Sequence, residues 1–408
     1  MIDLITMLKR QPSYRRLWFG DVISLLGNWL SFVAISMLAL EKGEGAIAIA
    51  LVFVAHNLPY ALFAPIAGTL TDRFDRRTLM LRANDAQGAL TLVMAAAAAF
   101  EQIAIVQILL FVRISLSAFF VPAHAAAIPR TVGKKEDLTL ANALSSATGS
   151  VAFGFGVALG GMFVAFAGVT LAILADASTF FFANLFIRRL PALPPIRSEN
   201  EKRTPRLRDA WVYALSNKNV LEAVLAKTPL AFASGAAWVA LVESTHRIAL
   251  FTAGATTLGL LNFARAFGSS VGPALTVYLK IAGVSGAFLR SASFAVTLAG
   301  IALLAASEHG ALTFFGAVVW GIGISANWVR AQTKLQSGSP DGLMGRLSAI
   351  DFFSFTLASS VGALAGAIFM ERSGLPAGAA WLGIAGCFVL WFLLFSATRD
   401  SRQGKIPC

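Results

Sequence analysis

Runs of about twenty predominantly apolar residues, the length that carries an α-helix across the hydrocarbon core of a bilayer, recur along this chain from end to end. Charge and Gly or Pro punctuation divide them into twelve candidate spans. These are 17–40, 46–70, 79–100, 103–127, 140–166 and 168–188, then 219–242, 252–279, 284–306, 310–330, 347–370 and 376–397. Lipid offers no hydrogen bonds to a backbone, so only helices and closed barrels cross it. The alternating ten-residue segments of a barrel are absent from the sequence, and the chain is expected to be an all-α membrane protein. Composition agrees. Of 408 residues, 57% are hydrophobic and 13% charged, against about 25% charged in an ordinary soluble domain. That much charge cannot coat a water-facing surface of this size, which excludes a soluble globular protein and a disordered one.

The charge that remains is lopsided, with 33 Lys and Arg against 21 Asp and Glu. If the N-terminus is inside, nearly all the cations fall on internal segments. Lys9, Arg10, Arg15 and Arg16 precede the first span, Arg73, Arg76, Arg77 and Arg82 follow the second, and Arg130, Lys134 and Lys135 follow the fourth. The external loops hold only Lys42, Arg247 and Arg372. This is the positive-inside pattern, and it checks the span count, because one missed helix would invert every later loop. Both termini are therefore expected in the cytoplasm. The basic balance then calls for no nucleic-acid partner. The opening MIDLITMLKRQPSYRR has no apolar core followed by a cleavage site, so no signal peptide is expected. Cys387 and Cys408 have no metal or redox spacing.

The longest hydrophilic stretch, PALPPIRSENEKRTPRLRDA, separates spans six and seven. It divides the chain into a first six-helix bundle at 1–189, a linker at 190–216 and a second bundle at 217–408. Leu207, Trp211 and Leu215 share one helical face at the end of the linker, a pattern suited to a short helix on the membrane surface. The halves repeat: span two begins near 46 and span eight near 252, and Gly160–Gly161 is echoed by Gly366. Two parallel six-helix halves are a transporter plan with the substrate near mid-membrane between them.

Between spans two and three the chain reads GTLTDRFDRR. This resembles the signature loop of the major facilitator superfamily, at the topological position that family gives it. SYRRLWFGDVISLLGNWL, FVPAHAAAIPRTVGKKEDLTLANALSSATGSVAFGFGVALGG and GLMGRLSAIDF are similar to the branch that contains siderophore, drug and macrolide exporters. The resemblance implies twelve transmembrane helices in two pseudo-symmetric bundles. It also implies that Gly68, Asp72, Arg73, Arg76 and Arg77 form a conformational latch. Physically, Gly68 permits close helix approach and Asp72 can cap the positive end of another helix, with the helix starting near Arg346 as its expected partner. The second half keeps only Lys280 and Arg290 of this loop, so the latch is asymmetric.

Ionisable groups inside spans are costly and are functional hypotheses by default. Arg113 lies about midway along span four, and FVRISLSAFF resembles the family motif whose Arg serves proton coupling, with Leu116 and Ser117 departing from it. Asp176 in span six is the most deeply placed carboxylate and suits coupling or packing equally. Asp21 is the third coupling candidate, although an ion pair with Arg15 or Arg16 at the interface is its plainer reading. Asp85 is expected to pair with Arg82 one turn away. Arg265 with Asn262 in span eight, and Lys227 in span seven, could meet an anionic substrate, and Lys227 could equally snorkel to the interface. Gly156, Gly160 and Gly161 resemble an antiporter motif with Val157 in place of its Pro, and they also suit plain helix packing.

Aromatic residues are abundant, 32 Phe and 8 Trp. In the family's arrangement, Trp29, Phe32, Phe53, Trp238, Trp320, Trp328 and Phe355 would border the cavity, with His56, Asn57, Asn262, Arg265 and Asp351 as its polar members. Packing or lipid contact explains any single aromatic as well. No Walker loop and no nucleophile–base constellation is present, so neither ATP drive nor an enzyme is expected, and no cofactor or metal is called for. The expectation is a monomeric, proton-coupled exporter of a small amphipathic compound in the bacterial inner membrane, with membrane lipids as surroundings. A lipid or lysophospholipid transporter of the same fold, or a non-transporting receptor or scaffold, is the alternative.

Overall fold

The computed structural model describes residues 2–43, 45–133, 135–194, 207–248, 250, 254–375 and 377–399, and the side chains of a few residues inside its helices fall outside that description. In chain order the helices are α1 (Ile2–Arg10), α2 (Pro12–Lys42), α3 (Ala46–Arg73), α4 (Arg76–Ala99), α5 (Ile103–Thr131), α6 (Lys135–Ala167), α7 (Val169–Ile187), α8 (Leu207–Ser216), α9 (Lys218–Leu225), α10 (Thr228–Ser244), α11 (Ala255–Ile281), α12 (Gly286–Ala306), α13 (Gly310–Gly338), α14 (Asp341–Ser373) and α15 (Gly378–Arg399). Eleven of the twelve apolar runs each correspond to one long helix, and the run of span seven covers α9 and α10. Nine segments among the described residues are long and apolar enough to cross a membrane by length and composition. The helices α4 and α11 fall short by that measure because they carry polar and charged residues along their length, and α15 counts only as a shorter apolar helix, Gly378–Trp391.

Two differences from the sequence reading have local causes. Span seven, read as one run at 219–242, is two helices, α9 and α10, that part at Ala226 and Lys227. Pro229 has no N–H to give the carbonyl four residues back, and its ring crowds that carbonyl. At the break itself, the Ala226 carbonyl accepts Asn327 Nδ2 at 3.3 Å. The first span extends outward from 17–40 to Pro12–Lys42, with Pro at its start, where the missing N–H costs nothing.

The described chain divides into two compact units. The first holds Met1–Glu44, Ala55–Glu199 and Phe251–Phe263, and the second Gly45–Val54, Asn200–Leu250 and Ala264–Cys408. In the first, α2 packs on α6 and α7, and α4 packs on α5 and α7. Met7, Tyr14, Leu17, Met80, Ala127 and Leu190 form a buried cluster within it. In the second, α10 packs on α14 and α15, and α12 packs on α13. There Ala210 and Ala214 of α8 are buried with Val220, Val224, Leu335 and Ile350. The opposite face of α8 leaves Leu207, Trp211 and Leu215 exposed, Leu215 by 62%.

Small residues set the helix spacing. A Cβ on Gly156 would meet Trp29 Cβ at 2.8 Å, and one on Gly160 would meet the Leu30 backbone at 3.0 Å. Helix α6 therefore lies directly on α2, where backbone contact gains dispersion that a larger side chain would forfeit. Gly161 faces Gly259, with 2.9 Å from its Cβ position to that Cα.

Candidate functional site

The first unit buries a charged pair at its centre. Arg113 of α5 donates from Nη1 to Asp176 Oδ2 of α7 at 2.5 Å, and both side chains are 0% exposed. Arg113 stands 5.8 Å over the Phe180 ring, and Thr179 Oγ1 lies 3.4 Å from Asp176 Oδ1. The pair joins the two candidates named from the sequence and gives Arg113 its counter-ion. Gly27 of α2 makes room for it: a Cβ there would sit 2.6 Å from Asp176 Oδ1. Arg113 Nε and Nη2 have no hydrogen-bond partner among the described residues, so the guanidinium is held by one oxygen and an aromatic face. A buried ion pair with donors left over is held at a desolvation cost of several kcal/mol per ion.

Polar side chains continue from this pair. Tyr60 of α3 hydrogen-bonds Ser117 of α5, and Ser117 Oγ donates to Gln87 Oε1 of α4. Asn84 Nδ2 donates to Asn184 Oδ1 at 3.0 Å, and Asn184 Nδ2 to Asp85 Oδ1 at 2.7 Å. Asp85 is therefore tied to α7, not to Arg82 as its spacing suggests. Beside Arg113, His56 lies 4.4 Å from the Phe32 ring and 5.5 Å from Trp29, with Phe153 4.6 Å from Trp29. Trp29, His56 and Asn57 are half-buried, so these rings form an aromatic box that is partly exposed. Asp21 lies 3.9 Å from His124 Nε2, while Arg16 donates to the Arg189 carbonyl at 2.9 Å. The expected Asp21 pairing with Arg15 or Arg16 is not found among the described residues, where Asp21 instead makes a looser approach to His124.

The signature loop closes on the exit of α7. Asp75 caps α4, accepting the Thr78 N–H at 2.8 Å through Oδ1 and the Leu193 N–H at 2.6 Å through Oδ2. Arg76 and Arg130 donate to the Pro194 carbonyl at 2.6 and 2.5 Å, and Arg77 to the Arg188 carbonyl at 2.5 Å. Burial alone would raise the Asp75 carboxyl. The Thr78 N–H and hydroxyl, the Leu193 N–H and the Arg77 charge outweigh it and hold the carboxyl below its usual range. Arg73 is exposed, and the surroundings of Gly68 and of the Asp72 side chain lie outside what the structure describes.

The second unit has its own buried pair. Lys227, at the α9–α10 break, donates to Asp351 Oδ2 of α14 at 2.5 Å and to Gln332 Oε1 of α13 at 3.4 Å. Its ammonium stands 3.9 Å over Trp328, and Trp328 meets Phe355 edge-on at 5.1 Å. Lys227 thus neither snorkels nor stands alone. Arg265 lies 5.0 Å over Trp320, whose Nε1 donates to Ser234 Oγ at 3.1 Å. Trp238 packs 5.0 Å from Phe53. Trp238 and Trp320 are buried in the helix packing, whereas Trp328, Phe355 and Gln332 remain half-exposed. Asn262 is buried in α11 and donates to the Leu258 carbonyl at 3.0 Å.

A family profile described as transmembrane secretion effector matches residues 7–399. The chain belongs to the major facilitator superfamily. This major facilitator is 24% identical over 362 residues to BacE of Bacillus subtilis, named as a bacilysin exporter, covering 88% of this chain and 89% of that one. It is 26% identical to the enterobactin exporter EntS of Citrobacter koseri, covering 98% and 95% of the two chains. A shorter match, 31% identical over 139 residues and 34% of each chain, is to macrolide efflux protein A of Streptococcus pyogenes. Among solved structures, a bacterial homologue of the lysosomal transporter Spinster aligns with TM-score 0.71 at 13% identity, over 97% of this chain and 99% of that one. A variant of the nucleoside transporter NupG aligns at 0.75 and 12%, over 95% and 99%. At these identities the structures share the fold. As a major facilitator the chain is a multi-pass membrane transporter with exporter relatives, and not an enzyme.

Three features of this major facilitator were not singled out from its sequence. Gly27 carried no signal beyond being one of many glycines. Asp75 stood beside Asp72 in the loop, and its fit to the N-cap position ahead of Arg76–Arg77–Thr78 was the available clue. The Lys227–Asp351 pairing spans 124 positions, a separation that no local pattern encodes.

Proposed function

We propose that the chain is a proton-coupled exporter of a small amphipathic organic compound, siderophore-like or drug-like, working by alternating access in the bacterial cytoplasmic membrane with both termini inside. The observation that carries this reading is the fully buried Arg113–Asp176 pair. A carboxylate that can be neutralised by a proton, facing a cation that then loses its partner, is a two-state element of the kind coupling requires. The aromatic box of Trp29, Phe32, His56 and Phe153 supports an amphipathic cargo, with apolar faces and few fixed charges. Asp21, 3.9 Å from His124, is a further coupling candidate, and Phe53, Asn57, Arg265, Trp328, Asp351 and Phe355 remain candidate substrate contacts, whereas Trp238, Trp320 and Asn262 are buried in the packing.

In this reading the bundles 1–189 and 217–408 rock about the 190–216 linker, and the signature loop acts as the latch through Gly68, Asp72, Arg73, Arg76 and Arg77. The protein works as a monomer, with lipids around it. The test is transport into inside-out proteoliposomes under an imposed pH gradient, with enterobactin, erythromycin and ethidium as probes. At least one probe is expected to accumulate with the gradient. Arg113→Gln and Asp176→Asn should each lower gradient-driven uptake more than about tenfold, the effect of 1.4 kcal/mol, while gradient-free exchange persists. Uptake of every probe that ignored the gradient in the unmodified protein would sink the coupling proposal.

A further inference from the structure

The break in span seven sets up a site with unusual charge bookkeeping. Lys227 and Asp351 are 3% and 4% exposed at their side chains, and each is the other's counter-ion. Asp351 Oδ1 has no hydrogen-bond partner among the described residues, and neither does Thr228 Oγ1 next to the break. The ammonium of Lys227 is held by a carboxylate, a carboxamide oxygen and the face of Trp328. Those three are also what an external primary ammonium would need. One wall of the cluster, Trp328, Gln332 and Phe355, is half-exposed. Because α9 and α10 are already parted, Lys227 sits on backbone that can turn without breaking an intact helix.

Opening a buried ion pair is expensive when one partner is left uncompensated. A cationic ligand that took Asp351 would strand Lys227, and an anionic ligand that took Lys227 would strand Asp351. A ligand carrying both charges strands neither. Its carboxylate replaces Asp351 at Lys227, its ammonium replaces Lys227 at Asp351, and the unused Asp351 Oδ1 and Thr228 Oγ1 supply further hydrogen-bond acceptors. An apolar or aromatic body would then lie against Trp328 and Phe355. We infer that the Lys227–Asp351 pair, with Trp328 and Gln332, is a recognition site for a zwitterionic, amino-acid-like end of the substrate. This deepens the exporter reading, on which only the word substrate rests, and it requires no proton step.

The test is calorimetric binding to the full chain in lipid nanodiscs without any gradient. The four probes share one skeleton: phenylalanine, phenylalaninamide, N-acetylphenylalanine and N-acetylphenylalaninamide, which are zwitterion, cation, anion and neutral. The unmodified chain should bind phenylalanine about tenfold or more tighter than either singly charged probe, a gap of 1.4 kcal/mol. Lys227→Gln should bring phenylalaninamide level with phenylalanine, and Asp351→Asn should do the same for N-acetylphenylalanine. The exchanged pair, Lys227→Asp with Asp351→Lys, keeps the site neutral and should keep the zwitterion preference, which separates recognition from a folding defect. Equal binding of the four probes, absence of binding by any, or a preference that survives both single variants would each overturn the inference. Transport that ignored a pH gradient would refute proton coupling and leave this binding result untouched.

Discussion

At the scale of single residues, the decisive facts are which charges find partners inside the membrane. Arg113 and Asp176 each looked isolated, because 63 positions separate them and nothing local links them. Their type and depth were legible in the sequence, and their pairing was not. Removing one partner leaves an uncompensated buried charge, so Asp176→Leu or Arg113→Met alone should cost about 3–5 kcal/mol. Replacing both with those apolar residues removes the stranded charge and should restore most of that loss. Thermal unfolding of the three variants in detergent checks this. A double variant no more stable than the worse single one would show that the pair stabilises by packing. Asp75 adds a residue-scale prediction outside the membrane. Its carboxyl lies below the usual value of 3.8 in the folded chain, so its contribution is fully present above that value and is lost as pH falls through the lower folded value. Hydrogen exchange at the Thr78 and Leu193 amides, corrected for intrinsic rates, should accelerate in that acid window. Asp75→Ala should show the same acceleration already at neutral pH.

At the scale of helices, boundaries followed from apolar runs, while contacts followed from where side chains are absent. The run over 219–242 gave the position of span seven, yet Pro229 inside it was the sign of a break that hydropathy averages away. Gly156 and Gly160 were recognisable as a small-residue stripe, and the partner helix they meet was not, since spacing on one helix says nothing about the helix across from it. Gly27 is the sharper case. A methyl there would press on Asp176 Oδ1 at 2.6 Å and on Thr179 Cγ2 at 2.8 Å, pushing α7 away from α2 at the buried ion pair. Gly27→Ala should cost about 1–3 kcal/mol, as overpacking does. Gly149→Ala, in α6 with nothing within 4 Å of its Cβ position, should instead gain about 0.5–1 kcal/mol from the lower helix cost of Ala. Opposite shifts in midpoint for these two glycine-to-alanine changes would tie the effect to close approach. Equal shifts would tie it to helix propensity alone.

At the scale of the whole molecule, the proposed topology rests on charge and not on contacts. Each internal segment holds several cations, so no single one decides the orientation. The loops proposed to be external hold Lys42, Arg247 and Arg372, and Lys42 pairs with Glu101 at 2.9 Å. Insertion responds to Lys and Arg in short loops near the span ends, and the loop after α3 and the exit of α7 meet that condition with arginines that also bind backbone carbonyls. The proposed orientation and the proposed latch therefore draw on the same residues. A single change such as Arg77→Ala should leave the topology intact while freeing the Arg188 carbonyl. The readout is a pair of C-terminal fusions: a cytoplasmic fluorescent protein should fold and shine, and an alkaline phosphatase, which needs the oxidising side, should be inactive. Phosphatase fused after Lys42 should be active. An active C-terminal phosphatase would mean an odd number of crossings, and with it one helix too many or too few in the twelve-span reading.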